Sequence, residues 1–344
     1  MKKPTSIWNR VVFVINILVA LLLIITGIIS FIPSQIVSAL SVLSLVVPFL
    51  FLLNFLFLIY WVIRTRRQFT LSLVAIVFGY LIFGSFYGMG NTGEYQKKAS
   101  DLSIMSYNVW YFNINGWIDE PNVGDRIIDF INEENPDVLV LQEYSRVRYK
   151  QLRQYPYRSE TPHSDRVTQA IFSKYPIINS GSLDLPKTGN NIIYADIFFN
   201  KDTVRIYNFH LQSFRIIPST DNFSDGKKSE RIYRRMVNTF SKQLEQAKIF
   251  KDHFENSTYT NIVCGDFNNT QFSNVYKIVK GDLQDTFLEK GESFGRTYNL
   301  WKFPLRIDYI LADPDFEILS HQNFDIRLSD HYPVMATLRL NSHQ

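Results

Sequence analysis

Six short polar motifs between residues 106 and 331 carry the side chains that could do chemistry in this chain. Each motif stands where a run of apolar, strand-like sequence ends. They read Ser106-Tyr107-Asn108-Val109, Leu141-Gln142-Glu143, Asn208-Phe209-His210-Leu211, Gly265-Asp266-Phe267-Asn268, Arg306-Ile307-Asp308-Tyr309 and Ser329-Asp330-His331. Carboxylates and amides suit a hard cation, and fixed imidazole and amide donors hold phosphate oxygens. The set contains every part that metal-assisted cleavage of a phosphoester requires, including carboxylates that could orient a water molecule.

Spacing strengthens two of the motifs. Asp266 and Asn268 are two residues apart, so their side chains face the same way in extended chain. Gly265 before them permits a close approach of the backbone. Glu143 stands just past the carboxyl end of an apolar strand, which is where open α/β sheets place their ligands.

Taken singly, each motif also has a purely structural interpretation. The alternatives are a solvated loop residue at Glu143, a turn capped by Asp266 and Asn268, a hydrogen-bonded core histidine at His210, an ion pair between Arg306 and Asp308, and a plain loop at Ser329, Asp330 and His331. One shared site accounts for all of them together, whereas the structural interpretations need a separate reason for each.

Strand-like runs outnumber helical ones in the region that carries the motifs. The runs span residues 102–109, 138–142, 169–172, 192–199, 203–211, 261–264, 306–311 and 333–340, and the helical patterns span 124–134, 229–254 and 274–280. Helices separate only some of the strands. This pattern predicts an α/β fold with mixed sheets covered by helices rather than a simple parallel doubly wound sheet.

The N-terminal region is almost free of charge. Residues 11–63 and 68–93 carry no Asp, Glu, Lys or Arg. A bilayer span needs about 20 apolar residues, so the first run holds two spans and the second holds one. Pro33 and its polar neighbours favour a turn between the first two. We expect three transmembrane helices at roughly 11–31, 37–63 and 70–89.

A signal peptide and a soluble helical hairpin both fit the apolar region less well than membrane spans do. A cleaved signal peptide has a core of 7–15 apolar residues, which is shorter than the first apolar run. A buried hairpin of a soluble protein would need helices with a polar face. The spans carry no charged side chain that would mark a transport pathway, so their expected role is to anchor the chain.

The basic residues predict the orientation. Three precede the first span and three lie between the second and third spans: Lys2, Lys3, Arg10, Arg64, Arg66 and Arg67. Because cytoplasmic loops collect Lys and Arg, we expect the N-terminus inside and the large domain outside, although Lys97 and Lys98 oppose this. The expected organisation is a membrane anchor at 1–94, a linker at 95–101 and a catalytic domain at 102–344, in a bacterial cytoplasmic membrane.

The charge distribution bears on the possible binding partners, and the cysteine content bears on disulfide bonding. The whole chain carries a formal charge of +4, but the residues from Tyr95 onward carry 30 basic and 31 acidic side chains. The basic excess therefore belongs to the membrane topology and gives no support for a nucleic-acid surface. The single cysteine, Cys264, excludes an internal disulfide framework, and its apolar surroundings predict a buried residue.

In motif content and order, residues 102–344 resemble the endonuclease/exonuclease/phosphatase superfamily, which includes DNase I-like nucleases, inositol-polyphosphate 5-phosphatases and neutral sphingomyelinases. The resemblance does not extend to the membrane region. It implies a four-layer α/β sandwich, in which two packed mixed β-sheets are flanked by helices. It also implies hydrolysis of a phosphoester with Mg²⁺, or Mn²⁺ in its place.

The resemblance also implies a role for each motif residue. Glu143 would be the principal metal ligand, with Asn108 beside it and Asp330 nearby. Asp266 would orient or deprotonate the attacking water, and Asn268 and His210 would hold phosphate oxygens. Asp308 would accept a hydrogen bond from His331, which keeps that imidazole protonated and aimed at the phosphate. Each of these motif residues is present in the chain.

The substrate stays open between a lipid headgroup, a small phosphoester and nucleic acid. Four basic residues could form an anion-binding rim, namely Arg215, Arg231, Arg234 and Arg235, or the last three could be a solvated helix face. A tethered phosphodiesterase or phosphatase is the first expectation and an extracytoplasmic nuclease the second. A non-catalytic membrane scaffold is a third possibility, which the intact motifs oppose. The bilayer is the other expected partner, and no obligate protein partner is evident.

Overall fold

A computed structural model describes residues 6–32, 37–90, 95–161, 168–216, 226–300 and 303–341. The helices are α1 (Ile7–Ile29), α2 (Ser38–Ser41), α3 (Val47–Ile63), α4 (Phe69–Phe83), α5 (Val123–Glu134), α6 (Gly226–Glu255), α7 (Asn274–Lys280) and α8 (Thr286–Lys290). Short helical turns span Val42–Val46, Trp110–Asn113 and Arg146–Gln151.

Sixteen strands are described within these ranges. They are β1 (Gly88–Met89), β2 (Asp101–Asn108), β3 (Val138–Gln142), β4 (Tyr157–Glu160), β5 (Gln169–Ser173), β6 (Ile177–Ser182), β7 (Ile192–Phe199), β8 (Asp202–His210), β9 (Thr260–Asp266), β10 (Gln284–Asp285), β11 (Glu292–Ser293), β12 (Tyr298–Leu300), β13 (Phe303–Leu305), β14 (Asp308–Ala312), β15 (Phe316–Asn323) and β16 (Val334–Leu340).

Two six-stranded mixed sheets form the centre of the molecule. One has the strand order β15-β16-β2-β3-β5-β4 and the other β10-β14-β9-β8-β7-β6. Each contains one parallel pair, β2 with β3 and β8 with β9, and its other neighbours are antiparallel. The expected α/β class with two mixed sheets is confirmed.

Alternation along the strands decides which residues lie between the sheets. Ile104 of β2 and Ile206 of β8 point into the shared core, while Tyr107 and Phe209 point to the outer faces. This is the two-residue period of a strand that is buried on both sides. Helix α5 covers the first sheet, and helices α6 and α7 cover the second.

Helix α5 shows why a helix covers this face. Ile127, Ile128 and Ile131 form a buried stripe at helical spacing, and charged residues take the other side. The helix ends at Asn135, whose φ of 45° is left-handed, and Pro136 cannot continue it. The helix therefore ends where the helical pattern predicted at 124–134 ends.

A network of amides joins the two sheets near the carboxyl ends of their parallel strands. Asn208 Nδ2 donates to the carbonyl oxygens of Leu141 at 2.8 Å and Ala170 at 3.1 Å. Gln142 Nε2 donates to Asn208 Oδ1 at 2.9 Å, and Gln169 Nε2 donates to the Asn208 carbonyl at the same distance. These groups are fully buried, so the bonds fix one sheet against the other.

The N-terminal region consists of three apolar helices and one short helix. Two helical segments are long and apolar enough to cross a membrane, Ile7–Ile29 and Ser38–Ile63, and the third apolar helix, α4, has 15 residues. Polar bonds join them inside the bundle: Asn16 Nδ2 donates to Ser72 Oγ at 2.8 Å, and Trp61 Nε1 donates to Asn16 Oδ1 at 3.0 Å. The turn expected at Pro33 lies outside the described residues.

This helical region packs directly on the sandwich, which the sequence did not predict. Phe49 stacks on Phe303 with ring centroids 4.6 Å apart, and Gly88 of β1 pairs with Ser293 of β11. Asn274 Nδ2 donates to the carbonyl of Ile32 at 3.1 Å. All these contacts come from one end of the helical bundle, opposite the turn at Arg64, Arg66 and Arg67. Residues 95–101 also bond to the domain, since Arg339 Nη2 donates to Tyr95 Oη at 2.7 Å and Lys97 Nζ donates to Ser103 Oγ at 2.9 Å.

The strands between 102 and 340 were predicted to within two residues at most boundaries, with one informative error. Residues 306–311 were expected to form a strand, but β14 begins only at Asp308. Arg306 turns away from Asp308 and pairs with Asp285 at 2.8 Å. The structural ion pair between Arg306 and Asp308 is therefore wrong. Seven strands in this region were missed: β4, β6 and β15, and the short strands β10, β11, β12 and β13.

Candidate active site

The site lies where the inward-facing rows of several strands change from apolar to polar. In β2 the row runs Ile104, Ser106, Asn108, and in β8 it runs Ile206, Asn208, His210. Asp266 ends β9 directly opposite His210, and Asp308 begins β14 directly opposite Asp266. Glu143 follows Gln142, which pairs with Asn108. Strand pairing therefore groups residues from two motifs in one sheet and from three motifs in the other. The packing of the two sheets brings all five motifs to one rim of the sandwich, where Asn108 reaches Asp266.

Glu143 faces the cavity at this rim. Its backbone is left-handed, with φ of 47°, and its side chain keeps 24% of its exposure. Burial and the neighbouring Asp330 carboxylate raise the pKa of Glu143 to about 7, against the opposing effects of His331 and a hydrogen bond from Asn108. A bound cation would favour the charged form of a carboxylate whose pKa is raised in this way.

Asp266 is held in place by its neighbours on every side. The backbone N–H of Asn268 donates to its Oδ1 at 2.7 Å, and Asn268 Nδ2 donates to its Oδ2 at 3.0 Å. Asn108 Nδ2 lies 3.3 Å from the same Oδ2. Burial, together with Asp308 and Glu143, raises the pKa of Asp266, while His331 opposes the rise. Asn268 Nδ2 also donates to the carbonyl of Leu211 at 3.0 Å, so both amide hydrogens are engaged.

His331 and Asp308 form a buried pair. His331 Nδ1 donates to Asp308 Oδ2 at 2.9 Å, which leaves Nε2 facing the site, 3.7 Å from Asp266 Oδ2. Burial alone lowers the pKa of His331, but Asp308, Asp266 and Asp330 outweigh it and hold that pKa well above its ordinary value. The imidazole is therefore a cation at neutral pH.

His210 differs from His331 in charge. Its Nε2 lies 3.7 Å from Asp266 Oδ2 and 3.8 Å from Glu143 Oε1. Burial, with the charge of His331, lowers the pKa of His210 to about 3, so the ring is neutral. Its Nδ1 is buried and has no hydrogen-bond partner among the described residues. The alternative of a satisfied core histidine does not fit an unpartnered nitrogen.

Asp330 completes the set. Burial raises its pKa, with His331 as the main opposing charge. Ser329 next to it donates through its hydroxyl to the carbonyl of Asn108 at 2.8 Å. That bond fastens the loop before β16 to the end of β2. The loop is thus part of the site.

Three supporting residues escaped the sequence analysis. Thr297 Oγ1 accepts from the backbone N–H of Asp308 at 3.1 Å, Tyr298 forms a β-bridge with His331, and Trp110 N–H donates to Asn108 Oδ1 at 3.2 Å. Trp110 begins a turn of four residues that all have positive φ. The sequence of this turn contains no glycine that would have predicted its positive φ angles. Only the hydroxyl or aromatic side chains of Thr297, Tyr298 and Trp110 could have indicated the three supporting residues.

The four arginines are spread apart. Arg215 lines the same cavity as Glu143 and His331. Arg234 is exposed and pairs with Glu230 at 2.6 Å along α6, and Arg231 is also exposed. Within the described part of the chain, Arg231, Arg234 and Arg235 do not line that cavity. Residues 217–225, which join Arg215 to α6, lie outside the described residues.

The donor set fits a metal ion. Asp266, Asp308 and His331 each present one possible ligand atom within 4.8 Å of the others, but His331 is protonated, so this group offers a metal only its two carboxylates. Glu143, Asn108 and Asp330 offer oxygen donors next to them, and a buried oxygen of Asp308 has no hydrogen-bond partner among the described residues. Hard oxygen donors of this kind suit Mg²⁺ or Mn²⁺.

Comparison with known families agrees with this geometry. Residues 105–331 match the Endonuclease/Exonuclease/phosphatase family. The chain belongs to this family. It is therefore a phosphoester hydrolase by family, as the motifs predicted. Residues 9–86 match a domain of unknown function (DUF8431). No curated protein matches the chain.

Several solved structures share the fold of this chain. A humanized D. rerio TDP2 superposes with a TM-score of 0.54 and 18% identity, covering 70% of this chain and 99% of that one. An endonuclease/exonuclease/phosphatase family protein from Bacteroides thetaiotaomicron gives 0.53 and 19%, covering 72% and 100%. D. rerio TDP2 complexed with single-strand DNA product gives 0.54 and 16%, covering 70% and 99%. At these identities the likeness concerns the fold.

Proposed function

We propose that the protein is a membrane-anchored, Mg²⁺-dependent phosphoesterase that hydrolyses a P–O bond by direct attack of water. One observation carries the proposal. The carboxylates, amides and imidazoles from all six motifs lie together at one rim of the sandwich, linked by contacts of 2.7–3.8 Å. Family membership supplies the reaction class.

The charge of each side chain determines its role in the reaction. Asp266 is oriented by Asn268 and has a raised pKa, so it can orient the attacking water and accept its proton more readily than an ordinary carboxylate. His331 is an imidazolium and donates to a phosphoryl oxygen, where negative charge develops. Asp308 fixes the ring so that Nε2 faces the phosphate. Neutral His210 donates its single N–H to a second oxygen.

The role that the family resemblance implies for Asn268, holding a phosphate oxygen, needs to be modified. Its amide hydrogens are bonded to Asp266 and Leu211, so its first contribution is to hold Asp266. A contact with phosphate, as the family resemblance implies, would exchange one of these bonds for the substrate.

Glu143 and Asn108 would hold the divalent cation, with Asp330 beside them. Glu143 is preferred as the main ligand because it keeps exposure to the cavity, whereas the nearby His331 is protonated and offers no free ring nitrogen. The bound cation would neutralise charge on the phosphoryl oxygens. Mn²⁺ would substitute for Mg²⁺ since it accepts the same ligands.

Membrane attachment forms part of the proposal. Residues 11–89 would cross the bilayer, supported by the two long apolar helices and by the basic residues at one end of the bundle. The catalytic domain, as residues 102–344, would stand outside a bacterial cytoplasmic membrane. Contacts between this domain and the opposite end of the bundle are consistent with that orientation.

The test is metal-dependent hydrolysis by the full chain in detergent. His331→Ala and Glu143→Ala should each lower kcat by about 10²–10³, the usual cost of one aligned group, while folding is preserved. Glu133→Ala changes an exposed carboxylate of α5 and should retain full activity. Wild-type turnover in a well-folded His331→Ala protein would refute the assignment.

An extracytoplasmic nuclease is the second candidate function. It is favoured by the fold shared with D. rerio TDP2, whose structure contains a single-strand DNA product, and by Arg215 in the lining of the cavity. DNA cleavage that weakens steeply with salt would support it, since phosphate contacts dominate such binding. A scaffold without activity would show no metal-dependent hydrolysis at all.

A further inference from the structure

The cavity that holds the catalytic residues is lined by two chemically different sets of side chains. It measures about 630 Å³, which is within the range of pockets that bind small molecules. One set is polar and includes Glu143, Asp266 and His331. The other set is apolar and includes Phe214 and Phe303.

Part of the apolar wall comes from the N-terminal helical region. Val42, Leu45, Val46 and Phe49 line the same cavity as the catalytic groups. They belong to the turn before α3 and to the first residues of α3 itself, and Phe49 is held by its stacking on Phe303. The helical region is therefore a wall of the active site as well as an anchor.

The apolar surface continues beyond Phe303. A second cavity of about 520 Å³ adjoins the first and shares Phe303 and Leu305 with it. Its other walls include Pro48, Phe51 and Phe55 of α3. A hydrocarbon chain could thus run from the catalytic groups along α3, which is part of an apolar segment long enough to cross a membrane.

The charges around the cavity disfavour a polynucleotide. Arg215 is the only lysine or arginine among its described lining residues, against three carboxylates. A single strand of nucleic acid is bound along a basic groove with stacking side chains. A small hydrophilic phosphoester would leave the apolar wall in contact with water.

We propose that the substrate is an amphiphilic phosphoester whose hydrocarbon chain lies along the wall formed by Val42, Leu45, Val46 and Phe49. This inference rests on the proposed function, because the scissile phosphate occupies the same catalytic residues. Water forms the new O–P bond, the P–O bond to the leaving group breaks, and the leaving oxygen takes a proton. No further reactant is needed.

The test uses three phosphodiesters that share one leaving group and one charge: 4-nitrophenyl methyl, butyl and octyl phosphate. Each CH₂ that enters an apolar site contributes about fourfold to binding. The full chain, in one detergent, should therefore show kcat/KM at least tenfold higher for the octyl than for the methyl ester. Equal values for the two esters would overturn the inference.

Two variants distinguish a chain preference caused by the cavity from one caused by partitioning of the octyl ester into detergent. That partitioning is the same for every protein in the assay. Val46→Trp narrows the cavity and should lower the octyl-to-methyl ratio of kcat/KM at least fivefold. Phe49→Ala removes part of the apolar wall and should also lower this ratio. Leu53→Ala removes an apolar side chain of α3 that lines neither cavity and should leave the ratio unchanged. An unchanged ratio in both wall variants would overturn the inference.

A binding measurement needs no turnover. Octyl phosphate should raise the Tm of the wild-type protein more than methyl phosphate does, and this difference should disappear in Val46→Trp. The two proposals fail in different ways. Methyl-ester hydrolysis that requires His331 but shows no chain preference defeats the substrate assignment alone, whereas absence of any His331-dependent hydrolysis defeats the proposed function. Faster cleavage of single-stranded DNA than of the octyl ester would also overturn the substrate assignment.

Discussion

At the scale of residues, the site depends on two histidines with different charges, one protonated and one neutral. His331 is surrounded by carboxylates and stays protonated, whereas His210 is buried next to that positive charge and stays neutral. Glu143 and Asn268 both adopt a left-handed backbone, which is uncommon for residues other than glycine and occurs often at functional sites. Sequence motifs predicted these residue types, but the charge states follow from burial, which the sequence does not display.

Replacing Asp308 by Asn tests the protonation of His331. Asp308 is the main partner that raises the pKa of His331, so its loss lowers that pKa. Activity that needs the imidazolium is lost as the pH rises through this pKa. The alkaline limb of the kcat/KM profile should therefore move to lower pH, by about 1–3 units. An alkaline limb at the wild-type position would show that His331 does not act as a cation.

At the scale of elements, the sequence predicted the inner strands and missed the outer ones. Strands such as β3 and β7 are mostly apolar and largely buried, and they were predicted to the residue. Strands β4 and β6 lie at sheet edges and are largely exposed, so their sequences lack a buried stripe. The left-handed turn at Trp110–Asn113 and the support of Asp308 by Thr297 arise from tertiary contacts between distant segments, which one sequence does not reveal.

Substitution of Gly265 tests the close packing of β8 on β9. Its φ is 130°, and a Cβ at this position would meet the Phe209 carbonyl oxygen at 2.2 Å. Gly265→Ala should therefore lower the free energy of unfolding by roughly 1–3 kcal/mol, seen as a lower Tm, and displace Asp266 enough to reduce activity. Gly226→Ala is the matched control, because its Cβ would meet nothing within 4 Å. Equal Tm values for the two variants would contradict the packing described.

At the scale of the whole molecule, the helical region and the sandwich form one working unit. The sequence predicted an anchor joined by a linker, since apolar composition shows that a segment is buried but not against what. The structure adds a direct interface, with Phe83 packed edge-to-face on Phe272 and Gln271 Nε2 donating to the Ser85 carbonyl at 3.0 Å. Activity is therefore best measured on the full chain, because removal of residues 1–94 would expose this surface and open the cavity.

The proposed topology can be tested with single introduced cysteines. The native Cys264 is fully buried and should not react, so labelling reports the new site. On intact cells a membrane-impermeant maleimide should label Asp252→Cys on exposed α6. It should label Thr65→Cys, beside the basic turn, only after permeabilisation. The reverse pattern would place the catalytic domain inside the cell.

The most direct measurement of the central claim is an anomalous-difference map from crystals of the full chain grown with Mn²⁺. We predict one strong peak about 2 Å from a carboxylate oxygen of Glu143, with Asn108 and Asp330 beside it, and loss of that peak in Glu143→Ala. A peak centred between Asp266, Asp308 and His331 would contradict the roles assigned to those three residues. Absence of any peak at this rim of the sandwich would contradict the metal-dependent site itself.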